Sequence, residues 1–547
     1  MSEDLKVEVP MEKHLVHSHA HEEDIPGTVN LRVAEGDDTA YGQALFPVPA
    51  EDPNDPLQWS NTKKTIILIV CATYSFLGNS ALLGPSVYIG LYSKEFNITP
   101  TKASGLISYP NLAFGFGSLL LVPLYLKIGR RPVMLGSMLC FICGLIGASQ
   151  ATTFNGLMVA RVFHGLGSGV CEALPVQLVN DIFFLHERGK RIGYYTVALC
   201  LGATGPLYAG YMLAGGYSWR LYFYVEIAFA GALFIVAFLF VEETAYKRVP
   251  PSNVSPTPSS PSTHSAEAKE GGLHVEETPP AINTAIPKRK TFLQTLKPWS
   301  EINHESEFFM MMIRPFTYFT VPAVFWVICT YGIYIGLGAL AFNFTFPLKI
   351  VAPPYNWKEE STGLIAVANA VGYLLAVPFA FTSDRFAAHL TRRNNGIREA
   401  EMRLPVLLPG MIIAPAGLIL YGLTAQHDLH FMGYMVGVAM VNWGGYFYFS
   451  FTLAYAVDCY NADTSEMLIA MNLGKQAISF GMGVKLLDWI LERGYAVVIS
   501  GIFTAVLLVN NLALIVFWFY GKKIRIFTAR SWLGGWHAKR AKEKMVH

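Results

Sequence analysis

The sequence predicts an all-α membrane protein with twelve transmembrane helices in two six-helix bundles. Three observations carry that expectation. Twelve apolar runs of about 20 residues recur along the chain, the length needed to cross a hydrocarbon core of roughly 30 Å. Only 15% of the 547 residues are charged and 52% are hydrophobic, whereas soluble domains carry about 25% charge. A long polar stretch separates the sixth run from the seventh, so the runs divide evenly into two sets.

Residues 1–60 are polar and acidic, with no positively charged n-region followed by an apolar h-region, so no cleavable signal peptide is expected. His14, His17, His19 and His21 lie close together there; metal binding is one reading, and the composition favours a disordered cytosolic tail. The first bundle, 61–241, holds runs at Thr65–Leu91, Ala103–Leu126, Val133–Gln150, Gly156–Asn180, Gly193–Leu213 and Leu221–Val241. Residues 242–314 begin with a proline- and serine-rich stretch and read as a flexible cytosolic linker. The second bundle, 315–521, holds Phe316–Phe342, Thr362–Phe381, Leu404–Leu423, Phe431–Ala456, Met467–Ile490 and Tyr495–Tyr520, before a basic tail at 522–547. Two sets of six suggest bundles related by an internal repeat.

Basic residues set the orientation. The loops after spans two, four and eight carry Lys127, Arg130, Arg131, Arg188, Lys190, Arg191, Arg385, Arg392, Arg393, Arg398 and Arg403. The opposite loops carry Lys94, Lys102, Arg220, Lys349, Lys358 and Arg493. Eleven against six places the first set, both termini and the linker in the cytosol. The sequon Asn97-Ile98-Thr99 then lies outside as a glycosylation candidate that Pro100 disfavours, while Asn253-Val254-Ser255 lies inside.

Span four carries the strongest functional signal. Arg161, Gly165, Ser168 and Glu172 recur at i, i+4, i+7 and i+11, one face of a continuous helix. A charge at mid-membrane costs at least about 3 kcal/mol, so this face is expected to meet protein or a watery cavity. Glu172 lies roughly 16 Å from Arg161 along such a helix, too far to pair. A buried carboxylate without an adjacent cation would hold a proton or attract a cationic solute; a structural partner on another helix is the alternative. Gly165, Gly167 and Gly169 have no lysine after them and read as helix-packing residues, not a phosphate loop. Glu226, near the outer end of span six, reads as structural or interfacial. Lys475 in span eleven either balances a carboxylate or snorkels to the membrane border. Lys485 and Asp488 read as a local pair, and Asp458 as a gate or border residue. Tyr331 and Tyr334 in span seven, with Trp443 and Tyr446 in span ten, offer rings to an ammonium or amphipathic aromatic solute, or simply pack. Asn343 and Asn369 are further polar candidates.

The loop Lys127-Ile128-Gly129-Arg130-Arg131-Pro132 and its second-half counterpart Ser383-Asp384-Arg385 resemble the G-x-L-x-D-R-x-G-R-R signature of the major facilitator superfamily. Leu126 replaces the acid in the first copy, which implies a weaker charge network at the inward gate. Arg161-Val162-Phe163-His164-Gly165-Leu166-Gly167 resembles R-x-x-Q-G-x-G with His164 for glutamine. Gly205-Pro206-Leu207-Tyr208-Ala209-Gly210 resembles the G-P-x-x-G-G antiporter signature. The stretches Asp55-Pro56-Leu57-Gln58-Trp59-Ser60 and Arg392 to Glu399 are similar to fungal members of the drug:proton antiporter branch, with a looser likeness to fungal polyamine and organic-cation transporters. The resemblance, covering Asp55 to Tyr520, implies a cavity-facing, proton-coupling Arg161. It also implies that Gly205, Pro206 and Gly210 control rocking and that Gly129, Arg130, Arg131, Asp384 and Arg385 form gate loops. His164 either shares the proton or packs.

The expected function is therefore proton-coupled transport of a small organic solute by a monomer in the lipid bilayer, with efflux across the plasma membrane as the family-based expectation. Proton-symport import of organic cations and a transport-inactive sensor are the alternatives. Net charge of +2 argues against a nucleic-acid partner. No enzyme constellation, ATP motif, cofactor or metal set is apparent. The seven cysteines, Cys140-x-x-Cys143 included, read as small apolar side chains.

Overall fold

The computed structural model describes residues 28–30, 52–246, 290–299, 302–303, 307–379, 382–394, 397–459 and 464–537. The histidine cluster of the tail, Asn253 and most of the expected linker lie outside them, as do the side chains of Asp384 and Asp458. Among the described residues, ten helices are long and apolar enough to cross a membrane. They are spans one to six at Asn61–Glu95, Pro100–Ile128, Arg130–Gln150, Phe154–Ile182, Arg191–Ala214 and Arg220–Phe240, then span seven at Pro322–Val351, eight at Glu359–Phe379, nine at Ala400–His427 and twelve at Ala496–Arg530. Spans ten, Met432–Cys459, and eleven, Thr464–Val484, are helices of 28 and 21 residues that complete the expected twelve. A three-residue antiparallel pair, Thr28–Asn30 with Ile397–Glu399, is the sheet content among the described residues.

Local chemistry sets the helix ends. The Ser60, Thr99 and Thr153 hydroxyls accept the orphan amide hydrogens of Lys63, Lys102 and Gly156 at the starts of spans one, two and four. Pro100 occupies the first turn of span two, where its missing N–H costs nothing. Gly129, at φ 102°, makes the turn between spans two and three that an L side chain would strain. The side carrying this turn is called the near side below, and the side of the Phe96–Thr99 loop the far side.

Span four departs from the sequence expectation. Its helix stops at Ser168, turns through Gly169–Glu172, and resumes at Ala173. Close packing surrounds this turn: a Cβ on Gly165 would stand 2.4 Å from the Pro110 carbonyl oxygen, and one on Gly169 would stand 2.6 Å from Gly117. Backbones meeting this closely at small residues are how lipid-buried helices associate. The packing reading of Gly165, Gly167 and Gly169 holds.

Within the expected linker, residues 290–299 and 302–303 dock on the near side of the first bundle. The Asn303 amide donates to the Lys127 carbonyl (2.7 Å), and Arg131 reaches the Leu296 carbonyl (3.2 Å). The chain after span twelve returns to the short helix Arg314–Thr320 that precedes span seven: His537 stacks on Tyr318 (4.6 Å between centroids), with Nε2 2.9 Å from the Thr317 hydroxyl. Burial and the nearby Arg314 guanidinium pull the His537 pKa down to about 4. The folded value lies below the ordinary 6.5, so this docking is fully stabilised above pH 6.5 and weakens as pH falls toward 4. The protection factors of the amides around Trp532 to His537 should therefore fall on acidification across that window. Equal protection at both ends would refute it.

Candidate functional site

A cavity of about 130 Å³ lies between the bundles at mid-membrane. The first bundle contributes Asn79 and Leu83 from span one, Asn111 from span two, Glu172 and Val176 from span four, and Ile192 to Ala203 along span five. The second contributes Tyr331, Tyr334, Tyr373 and Phe449, with Leu468, Met471, Asn472, Lys475 and Gln476 from span eleven. Ile192, Val176 and Leu468 carry its wall toward the near side. The far side is sealed between the bundles: a Cβ on Gly363 of span eight would stand 2.3 Å from the Pro206 carbonyl oxygen of span five. Thr101 donates to Asp488 (2.9 Å) and Lys94 pairs with Glu359 (2.5 Å) across the same seam.

Lys475 Nζ donates to Glu172 Oε2, joining span eleven to span four across the cavity. The side chains are 5% and 14% exposed. The expectation that Glu172 lacks an adjacent cation is thus corrected, and Lys475 is the residue that balances it. Lys475 Nζ also lies 5.9 Å from the Tyr331 ring, and the Tyr195 hydroxyl holds the Glu172 carbonyl (2.9 Å). Each hydrogen bond fixes the unwound turn that aims Glu172 inward.

The single cavity-facing stripe expected on span four is also corrected. Arg161 is fully buried away from the cavity. Its guanidinium donates to the carbonyls of Leu106 (2.8 Å), Ala81 (2.7 Å) and Leu82 (2.8 Å), tying span four to spans two and one. Gly165 packs on span two, and the Ser168 hydroxyl turns back to the His164 and Gly165 carbonyls. Of these four residues only Glu172, at the break that follows Ser168, lines the cavity. His164 is buried against Phe141, with Nδ1 2.5 Å from the Arg161 carbonyl. It packs and does not line the cavity.

Of the aromatic and amide candidates, Tyr331 and Tyr334 line the cavity. Trp443 packs on Phe379 and Phe447; Tyr446 and Asn343 are buried elsewhere, and Asn369 bonds Asn442 (2.6 Å). Sequence reasoning missed Asn79, Asn111, Asn472 and Gln476. Span eleven did carry a signal, since Asn472, Lys475, Gln476 and Ser479 recur at helical spacing like the residues weighed on span four. The Lys485–Asp488 pair is present at 3.6 Å, and the seven cysteines are free thiols.

At the near-side loop, Arg130 Nε meets Asp181 (3.1 Å), and the Arg130 and Arg131 amides donate to Glu243 (3.0 and 3.2 Å). With Leu126 in place of an acid, Asp181 and Glu243 supply the acids that meet these residues. Arg131 also caps the end of span six through the Val241 and Phe238 carbonyls. Arg385 is exposed. The second bundle instead ties its near side by Arg525 to Glu399 and Glu401 (both 2.7 Å) and Arg314 to Glu466 (3.2 Å). Gly205 packs on the Ser80 carbonyl of span one, while Pro206 and Gly210 form the far-side seam with span eight. Asn97 is exposed in the far-side loop at φ 51°, while the Thr99 hydroxyl caps span two.

Two helical bundles of membrane-spanning length enclosing a central cavity are the architecture of a multi-pass membrane transporter. The profile of the Major Facilitator Superfamily matches residues 68–484, and the chain belongs to that superfamily. It is similar to the MFS-type transporter penM of Penicillium rubens (26% identical over 486 residues, 87% of this chain and 88% of that protein). It is also similar to Protein HOL1 of Saccharomyces cerevisiae (24% over 591 residues, 94% and 97%). A solved D-xylose-proton symporter shares the fold, with a TM-score of 0.54 at 13% identity over 82% of this chain and 97% of that one. The protein is a secondary transporter and not an enzyme.

Proposed function

We propose that the protein exchanges protons for a small organic solute, a drug, secondary metabolite or polyamine-like cation, and exports it across the plasma membrane. The near side and both termini face the cytosol in this reading, supported by the eleven-to-six excess of basic loop residues. Asn97 then lies outside, where glycosylation is proposed.

The observation that carries the reading is the Glu172–Lys475 pair in the cavity. An ammonium solute can displace Lys475 from the carboxylate, and a proton can neutralise the same carboxylate. The two cannot occupy it together, and such competition is the physical basis of exchange. Tyr195, Tyr331, Tyr334 and Tyr373 surround the pair with ring faces and edges suited to an organic cation. Because the pair joins the two bundles, its occupancy also biases their rocking.

The test is purified protein in liposomes with an imposed pH gradient, following labelled spermidine beside a fluorescent cationic drug. Gradient-driven movement of either, lost in Glu172→Gln while the variant remains folded, is the expected result. Unchanged transport by Glu172→Gln would overturn the reading. Movement of neither would replace the cation by a neutral or anionic solute.

A further inference from the structure

We propose that Glu226 is a second proton-binding site, set behind the far-side seal and separate from the cavity pair. The inference rests on the proton coupling proposed above. The position of Glu226 near the end of span six suggests a structural role, but its surroundings point further. The residue is 1% exposed within a span, and among the described residues it has no cationic partner. Hydroxyls from three spans converge on Oε1: Ser80 of span one (2.8 Å), Tyr208 of span five, and Tyr222 of span six (3.1 Å). Oε2 has no hydrogen-bond partner among the described residues. A permanently ionised carboxylate would be poorly served by this arrangement, with one oxygen crowded and the other bare in a dry site.

The network has two hydrogen-bonded states. Tyr222 Oη also lies 2.7 Å from the Ser80 carbonyl, and its one hydrogen can serve only one acceptor. With Glu226 ionised, the Tyr222 hydrogen turns to Oε1. When a water-borne proton adds to the carboxylate, that hydrogen turns to the Ser80 carbonyl, and Tyr222 Oη accepts the new carboxyl O–H. Tyr88 of span one packs edge-on against Tyr222 (6.2 Å), and Arg161 of span four is held by the neighbouring Ala81 and Leu82 carbonyls. The titratable and charged groups around the site are thus Tyr88, Tyr208, Tyr222 and Arg161.

Access follows from the seal. Tyr208 lies on the helix Gly205–Ala214, whose Pro206 carbonyl and Gly210 meet Gly363 of span eight. Opening that seam moves the helix that covers Glu226, so the site loads from the far side and is shut when the cavity faces the near side. Charge on Glu226 is felt at Ser80, next to the Arg161 anchor on span one, and so reaches the bundle that carries Glu172.

The first measurement is infrared spectroscopy of the purified protein at neutral pH. A protonated-carboxyl C=O band present in wild type, kept in Glu172→Gln and absent from Glu226→Gln is expected. A band missing from wild type, or retained in Glu226→Gln, would overturn the assignment. In liposomes, Glu226→Gln should lose gradient-driven accumulation while solute exchange at equal pH persists. Accumulation by Glu226→Gln equal to a driven wild type would overturn the role of Glu226 alone; a wild type blind to the gradient would overturn the coupling itself. If Glu226→Gln does not fold, Tyr222→Phe carries the test, because losing the acceptor hydroxyl should shift the pH profile of uptake. An unshifted profile counts against the proposal.

Discussion

Lys475→Glu should abolish transport and destabilise the conformation in which the cavity faces the near side. The substitution sets two carboxylates against each other where an ion pair now joins spans four and eleven. At about 4 Å, like charges repel by about 1 kcal/mol in water and about 4 kcal/mol at an effective dielectric of 20. The substitution also removes the existing attraction, and the folded state it acts on is stable by only about 5–15 kcal/mol. The reciprocal exchange, Glu172→Lys with Lys475→Glu, restores attraction and should recover most of the thermal midpoint. It also moves the carboxylate onto span eleven, away from the turn held by Tyr195, so transport should recover less than stability does. Thermal midpoints and uptake of the two singles and the double form a double-mutant cycle. Additive effects on stability would show that the pair does not couple the bundles.

Much of the fold was legible because it rests on run length and composition. Spans ten and eleven could be placed in sequence although Asn442, Asn472, Lys475 and Gln476 lower their apolarity. The site was less legible, for two physical reasons. A helical net assumes 100° per residue throughout, but the helix stops at Ser168 and turns before Ala173, and Arg161 and Glu172 face different surroundings. Glu172 and Lys475 are also 303 residues apart, and nothing local in either span names the other. The near-side loop shows the same limit: the acids that answer Arg130 and Arg131 come from Asp181 and Glu243, at the ends of spans four and six. Chemistry supplied by a neighbouring helix does not appear in a local motif.

Gly363→Val should hold the far side open. A Cβ at this position would stand 2.3 Å from the Pro206 carbonyl oxygen and 3.3 Å from Gly210 Cα, and backbone atoms have no rotamer to relieve them. Overpacking of this kind costs about 1–3 kcal/mol, and each 1.4 kcal/mol shifts a two-state equilibrium about tenfold. Unlike a core, this seam can escape the strain by separating spans five and eight, which is the movement that alternating access already requires. The cost therefore appears as a population shift toward the far-side-open state more than as unfolding. Cys200, in the cavity wall, is a native reporter. A membrane-impermeant maleimide applied from the far side should label it in Gly363→Val and spare it in wild type, with uptake reduced in proportion. Gly363→Ala should act in the same direction, since the clash begins at Cβ, whereas Gly231→Ala meets no atom within 4 Å and should change nothing. Unchanged far-side labelling in a folded Gly363→Val protein would mean that the seam is not the barrier on that side. If labelling rises while Glu172→Gln leaves it unaltered, the seal and the cavity pair are separate controls on one motion.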